Sequence, residues 1–248
     1  MHIDAGCELS LSIRMHADGS IALSAVCLGI ALAGAMSAIR GSQDRHARFF
    51  LTLVFGIFGG IVSTPLIIAF FPAMYGFYLP VVFVLLLVLP PTVFYYVAAK
   101  VTEFPSSVMR WRDIVLPVVG SAVMIGYWLQ PAEAKTAMFI AGELPTGVAP
   151  ATLVLVTFIL IFCWVISSCV YLAATLRRLG NYRAKLRSLY SNLDDRELRW
   201  LDWFVVSLVA LWAATALTFF ADKKGFDQVV VKELIYVLTA CLLLFVMA

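Results

Sequence analysis

The sequence predicts an all-α membrane protein of seven transmembrane helices, with its N-terminus outside and its C-terminus in the cytoplasm. Three observations carry that prediction. Of 248 residues, 62% are hydrophobic and 13% charged, and the mean hydropathy of +0.96 lies outside the soluble globular range. Uncharged runs recur at the length of about 20 residues that a helix needs to cross the hydrocarbon core. Lys and Arg are concentrated in alternate loops, the signature of cytoplasmic retention.

Residues 1–19 form a polar external tail carrying Asp4, Glu8, Arg14 and Asp18. No apolar h-region precedes a cleavage site there, so the tail is not a removable signal peptide. Met15 is an alternative start that would leave only a short lead into the first span. Six complete uncharged runs follow, at 20–39, 49–71, 79–99, 114–130, 150–176 and 203–220. A seventh occupies 234–248, only 15 residues, which leads us to expect a fragment of a longer chain.

With seven alternating spans, the loops 40–48, 100–113 and 177–203 share one side. They hold Arg40, Arg45, Arg48, Lys100, Arg110, Arg112, Arg177, Arg178, Arg183, Lys185, Arg187, Arg196 and Arg199. The opposite side holds only Arg14, Lys135, Lys223, Lys224 and Lys232. The net charge of +3 thus reflects topology. It gives no reason for this portion to bind nucleic acid.

Chemistry inside the spans is sparse. All acidic and basic residues fall outside the six complete runs, as do His2, His16 and His46, and the first two histidines lie on the opposite side from the third. Ion-coupled transport and intramembrane proteolysis both require ionisable groups in the membrane. The expectation is therefore no catalytic residue, no metal ligand, no cofactor and no enzyme activity. The scattered cysteines, Cys27, Cys163, Cys169 and Cys241 within spans and Cys7 in the tail, read as small packing residues.

Prolines interrupt several spans. Pro65, Pro90, Pro91 and Pro117 should kink their helices and free backbone carbonyls, which would shape a cavity for a small ligand. "GIALAGA" at 29–35 and "GIFGG" at 56–60 supply small residues for close packing within the bundle.

The most charged stretch, "RRLGNYRAKLRSLYSNLDDRELRWLDW" at 177–203, has its own pattern. Leu179, Tyr182, Leu186, Leu189 and Leu193 fall at alternating steps of three and four, an amphipathic helical stripe. The fifth helix should therefore run on into the cytoplasm as far as Tyr190. Ser191 or Asn192 then caps a second helix, with Asp194 and Asp195 in its first turn. Leu198, Trp200 and Leu201 lead that arm into the sixth span. The result is a cytoplasmic helical hairpin between helices 5 and 6, a candidate signal-coupling element. The bland alternative is a connector whose two arms cover each other.

Two segments carry a family resemblance: "LPPTVFYYVAAKVTEFPSSVMRWRDIVLPVVG" at 89–120 and "YRAKLRSLYSNLDDRELRWL" at 182–201. Both resemble the N-terminal seven-transmembrane sensory module of membrane-bound AraC-family regulators of bacteria. The resemblance implies a multi-pass protein of the bacterial inner membrane that passes ligand or membrane state to a DNA-binding output domain. That domain is absent from this chain, which has no helix-turn-helix or basic patch. The expected partners are the bilayer and a small-molecule or lipid ligand bound among the helices or in the bilayer. Oligomeric state is left open, although a homodimer would suit a DNA-binding output with two half-sites. Two alternatives stand beside it. One is a small-solute transporter or channel component, and the other is the sensor module of a histidine kinase or cyclase.

Overall fold

The computed structural model describes residues 4–40, 45–101, 110–131, 134–135 and 147–189, with short helical pieces within 206–214 and 235–244. Side chains of residues 4–18, 183 and 185–189 lie outside the description. The chain is all-helical, with no strand among the described residues. In order it forms α1 (Asp4–Arg40), α2 (Arg45–Val62), α3 (Thr64–Phe70), a 3₁₀ turn (Pro72–Met74), α4 (Tyr75–Val101), α5 (Trp111–Trp128) and α6 (Val148–Leu189).

Among the described residues, four helices are long and apolar enough to cross a membrane: Gly19–Arg40, Arg45–Val62, Pro72–Val101 and Val148–Tyr182. The fifth predicted span corresponds to α6 and the fourth to α5, which carries Arg112 and Asp113 in its first turn and is not among those four. The predicted spans at 203–220 and 234–248 lie largely outside the described residues. Two pieces of them nonetheless reach the interior: Leu211 and Leu242 are buried in the core formed by α1, α2, α4 and α6.

Two elements differ from the sequence reading. The expected tail is helical from Asp4, so α1 is a single 37-residue helix. No proline separates the tail from the span, and a helix once nucleated propagates backward until a breaker stops it. The second predicted span, a single run with a kink expected at Pro65, is divided at Ser63 into α2 and α3. Pro65 has no N–H, so the Ile61 carbonyl loses its helical donor and accepts instead from the Thr64 hydroxyl at 2.6 Å. Just before it, the Gly60 carbonyl takes the hydroxyls of both Ser63 and Tyr78.

The centre of the bundle is α4, which packs against α2, α5 and α6, while α1 covers the other side of α2. Small residues set the α1–α2 distance. Gly34 leaves the space that the Phe55 ring fills, since a Cβ at that position would lie only 2.3 Å from the ring Cε1, and Gly59 meets Ala31 and Leu28. Both glycine motifs thus serve packing inside the bundle, and Phe55 is 1% exposed as a result. The cysteines divide: Cys27 is buried, but Cys163, Cys169 and Cys241 are exposed on the outer surface and fill no interior space.

Gly34→Ile should lower stability by about 1–3 kcal/mol through overpacking against Phe55. Gly29, which has open space around its Cβ position, is the control. Thermal unfolding of both variants in detergent or nanodiscs checks this, and equal melting temperatures would contradict it.

Candidate functional site

Proline sets the local chemistry of α4. Pro90 and Pro91 are both buried inside the helix. Because Pro90 cannot donate, the carbonyl four residues earlier, Leu86, has no helical partner. A lone carbonyl in an apolar interior is costly, and lipid offers no donor. The indole of Trp164 on α6 supplies one, donating from Nε1 to the Leu86 oxygen at 2.7 Å. The proline and the helix–helix contact are thus one feature.

Two turns further along α6, Tyr171 faces the same way as Trp164, since seven residues nearly complete two helical turns. Its hydroxyl donates to Oδ1 of Asp113, in the first turn of α5. The other oxygen, Oδ2, accepts from Tyr95 of α4 at 2.5 Å. Tyr95 in turn accepts the backbone N–H of Arg110 at 3.0 Å. A carboxylate in this first turn also has a favourable interaction with the positive end of the α5 dipole. Asp113 therefore ties α4, α5 and α6 together at one end of the bundle.

Aromatic rings enclose this junction. Tyr95 stacks on Phe50 of α2 with centroids 5.4 Å apart and an 18° interplanar angle. Phe94 meets Tyr95 edge-on at 5.4 Å and Tyr171 at a tilt at 5.6 Å. The guanidinium of Arg178 lies 4.8 Å from the Phe94 ring centroid, a cation–π contact. Among the described residues, no three His, Cys, Asp or Glu side chains gather to hold a metal ion. What this arrangement does is mechanical: it fixes four helices in register around one carboxylate.

The inward face of α6 continues past the junction. Leu160, Trp164, Ser168, Thr175 and Leu179 are buried along one stripe, while Phe158, Phe162, Ile166 and Val170 face outward. Ser168 and Thr175 turn their hydroxyls back onto the carbonyls of Trp164 and Tyr171, so neither needs an outside partner. Leu179, the first residue of the predicted amphipathic stripe, is 3% exposed and belongs to the main core.

Of the predicted coupling residues, Leu186 and Leu189 lie on α6, with side chains outside the description. Tyr190, Ser191, Asn192, Leu193, Leu198, Trp200 and Leu201 are outside the described residues. The four kink prolines sit on three helices: Pro65 on α3, Pro90 and Pro91 on α4, and Pro117 on α5. Sequence reasoning missed Asp113, Tyr95, Tyr171 and Trp164. The available signals were an acid at the very edge of a span, an aromatic cluster "FYY" in the preceding one, and a lone indole in the middle of an apolar run.

Comparison with known protein families, curated proteins and solved structures finds no match to this chain.

A double-mutant cycle tests the pairing of Pro90 with Trp164. Trp164→Phe should cost about 1 kcal/mol more in the native background than alongside Pro90→Ala, where the regained Ala N–H serves Leu86. Equal costs in the two backgrounds, measured by unfolding in mixed micelles, would remove the pairing.

Proposed function

We propose that this chain is the membrane sensory module of a bacterial transcriptional regulator of the AraC type. It passes ligand or membrane state along α6 to a cytoplasmic output domain outside this chain. The observation that supports this reading most is the continuity of α6, 42 unbroken residues from Val148 to Leu189. At 1.5 Å per residue it is about 63 Å long, roughly twice the hydrocarbon thickness. It is hydrogen-bonded to its neighbours at Trp164 and Tyr171 and continues as one helix through the basic stretch as far as Leu189. Any change in how α4 and α5 sit would be carried outward by the same rod.

The AraC output class comes from the resemblance at 89–120 and 182–201. A sensory role accords with bundle chemistry of the kind described, in which polar groups hold helices together. In this reading the protein resides in the inner membrane, with Arg177, Arg178 and the arm on the cytoplasmic side. A homodimer would bring two arms to paired DNA half-sites.

The test uses the native full-length regulator and a transcriptional reporter. Leu198→Asp and Trp200→Asp should change reporter output several-fold while membrane insertion stays normal. Unchanged output would return the hairpin to a plain connector. Saturable solute uptake by the purified protein in liposomes would favour the transporter reading instead.

A further inference from the structure

At the end of the bundle opposite Asp113 lies a cation with no counter-charge among the described residues. Lys135 is 9% exposed, although lysine is almost never buried unless paired. Its stem runs along the first turn of α4, where a Cβ on Gly76 would lie 3.7 Å from the lysine Cβ and 3.8 Å from its Cδ. Its Nζ sits 4.2 Å from the Phe77 ring centroid. The ammonium has three donors, and one reaches the Trp128 carbonyl at 3.4 Å, beyond the usual hydrogen-bond range.

The surroundings favour an anion. Lys135 lies beside the N-terminal turn of the long helix that begins at Pro72, so its charge adds to the positive end of that dipole. The rim around it is apolar and open: Met74 is 60% exposed, Phe77 50% and Leu129 80%. Trp128 is held in place there by its indole, which donates to the Phe77 carbonyl at 3.0 Å. An aromatic belt at the end of the spans marks the headgroup level of a bilayer. A soluble anion would gain nothing from that apolar rim, whereas a lipid covers it with its acyl chains.

We infer that Lys135, Phe77 and Trp128 form a site for the phosphate of an anionic phospholipid, with the ammonium as its electrostatic anchor. The phosphate oxygens take the two donors that Trp128 leaves over, and the glycerol and upper acyl carbons lie against Met74, Phe77 and Leu129. The site is independent of the sensory reading, since it requires only that the bundle span a bilayer.

The experiment places the full chain in nanodiscs of phosphatidylcholine, with or without phosphatidylglycerol, and in phosphatidylcholine with glycerol phosphate added to the buffer. Melting temperature and lipids retained in native mass spectrometry are the readouts. Phosphatidylglycerol should raise the melting temperature of the native protein and be retained preferentially. Lys135→Met should reduce that preference about tenfold, the loss of one charge-assisted contact, and Lys135→Arg should keep it. A Lys135→Met protein that retains the full preference would overturn the site. So would equal melting temperatures of the native protein in the two bilayers, a comparison that stands even where the Met variant fails to insert. An equal shift from glycerol phosphate alone would replace the lipid with a soluble anion and overturn the assignment to a lipid.

Discussion

Inside a bilayer every backbone carbonyl must find a donor within the protein, and Pro90 breaks that rule at the centre of the bundle. The Leu86 oxygen is left without its helical N–H, and the indole of Trp164 replaces it. Much else follows from this repair. It requires α6 to lie against the turn of α4 that precedes Pro90 with Trp164 facing inward, which fixes the rotation of α6 about its own axis. Once that rotation is set, Ser168, Tyr171, Thr175 and Leu179 face inward by helical period alone, and the apolar side bearing Phe158, Phe162 and Ile166 faces out.

Asp113 acts on the same geometry from the other side. A carboxylate has two oxygens, and here one takes a phenol from α4 and the other a phenol from α6. Neither helix can rotate or slide far without losing its bond to the shared acid. Trp164 and Tyr171 together therefore hold α6 at two heights, and two points constrain tilt as well as position. Beyond Tyr171, the Arg178–Phe94 contact and the buried Leu179 extend the grip to the start of the arm. At the opposite end, Ser63 and Tyr78 join on the Gly60 carbonyl beside the Pro65 kink, the same solution applied to α2 and α4.

The sequence made part of this legible. Hydropathy located the helical runs because burial in lipid or core demands them whatever the neighbours, and α4, α5 and α6 begin and end close to the expected positions. The three-and-four spacing at Leu179 and Tyr182 likewise marked a helix continuing beyond the apolar run, and α6 reaches Leu189. The glycines at 34 and 59 were readable as packing sites because a missing Cβ has few other uses in a span. What stayed hidden depends on pairing between helices. Nothing in the run containing Trp164 indicates that its indole meets a carbonyl 78 residues earlier. Asp113 read as a loop charge, because its value arises only when Tyr95 and Tyr171 converge on it from two other helices. The helical tail of α1 was missed for a different reason: polarity was taken as the end of the helix, whereas only a breaker or a cap ends one.

The central claim is that α4 and the outer part of α6 are mechanically joined through Asp113. Paired spin labels at Val101, the last residue of α4, and Ala184, on the exposed side of the α6 arm, measure this directly. The native protein in nanodiscs should give one narrow distance distribution, and Asp113→Ala should broaden or shift it while the helix content stays the same. A distribution that is identical in the two proteins would contradict the account.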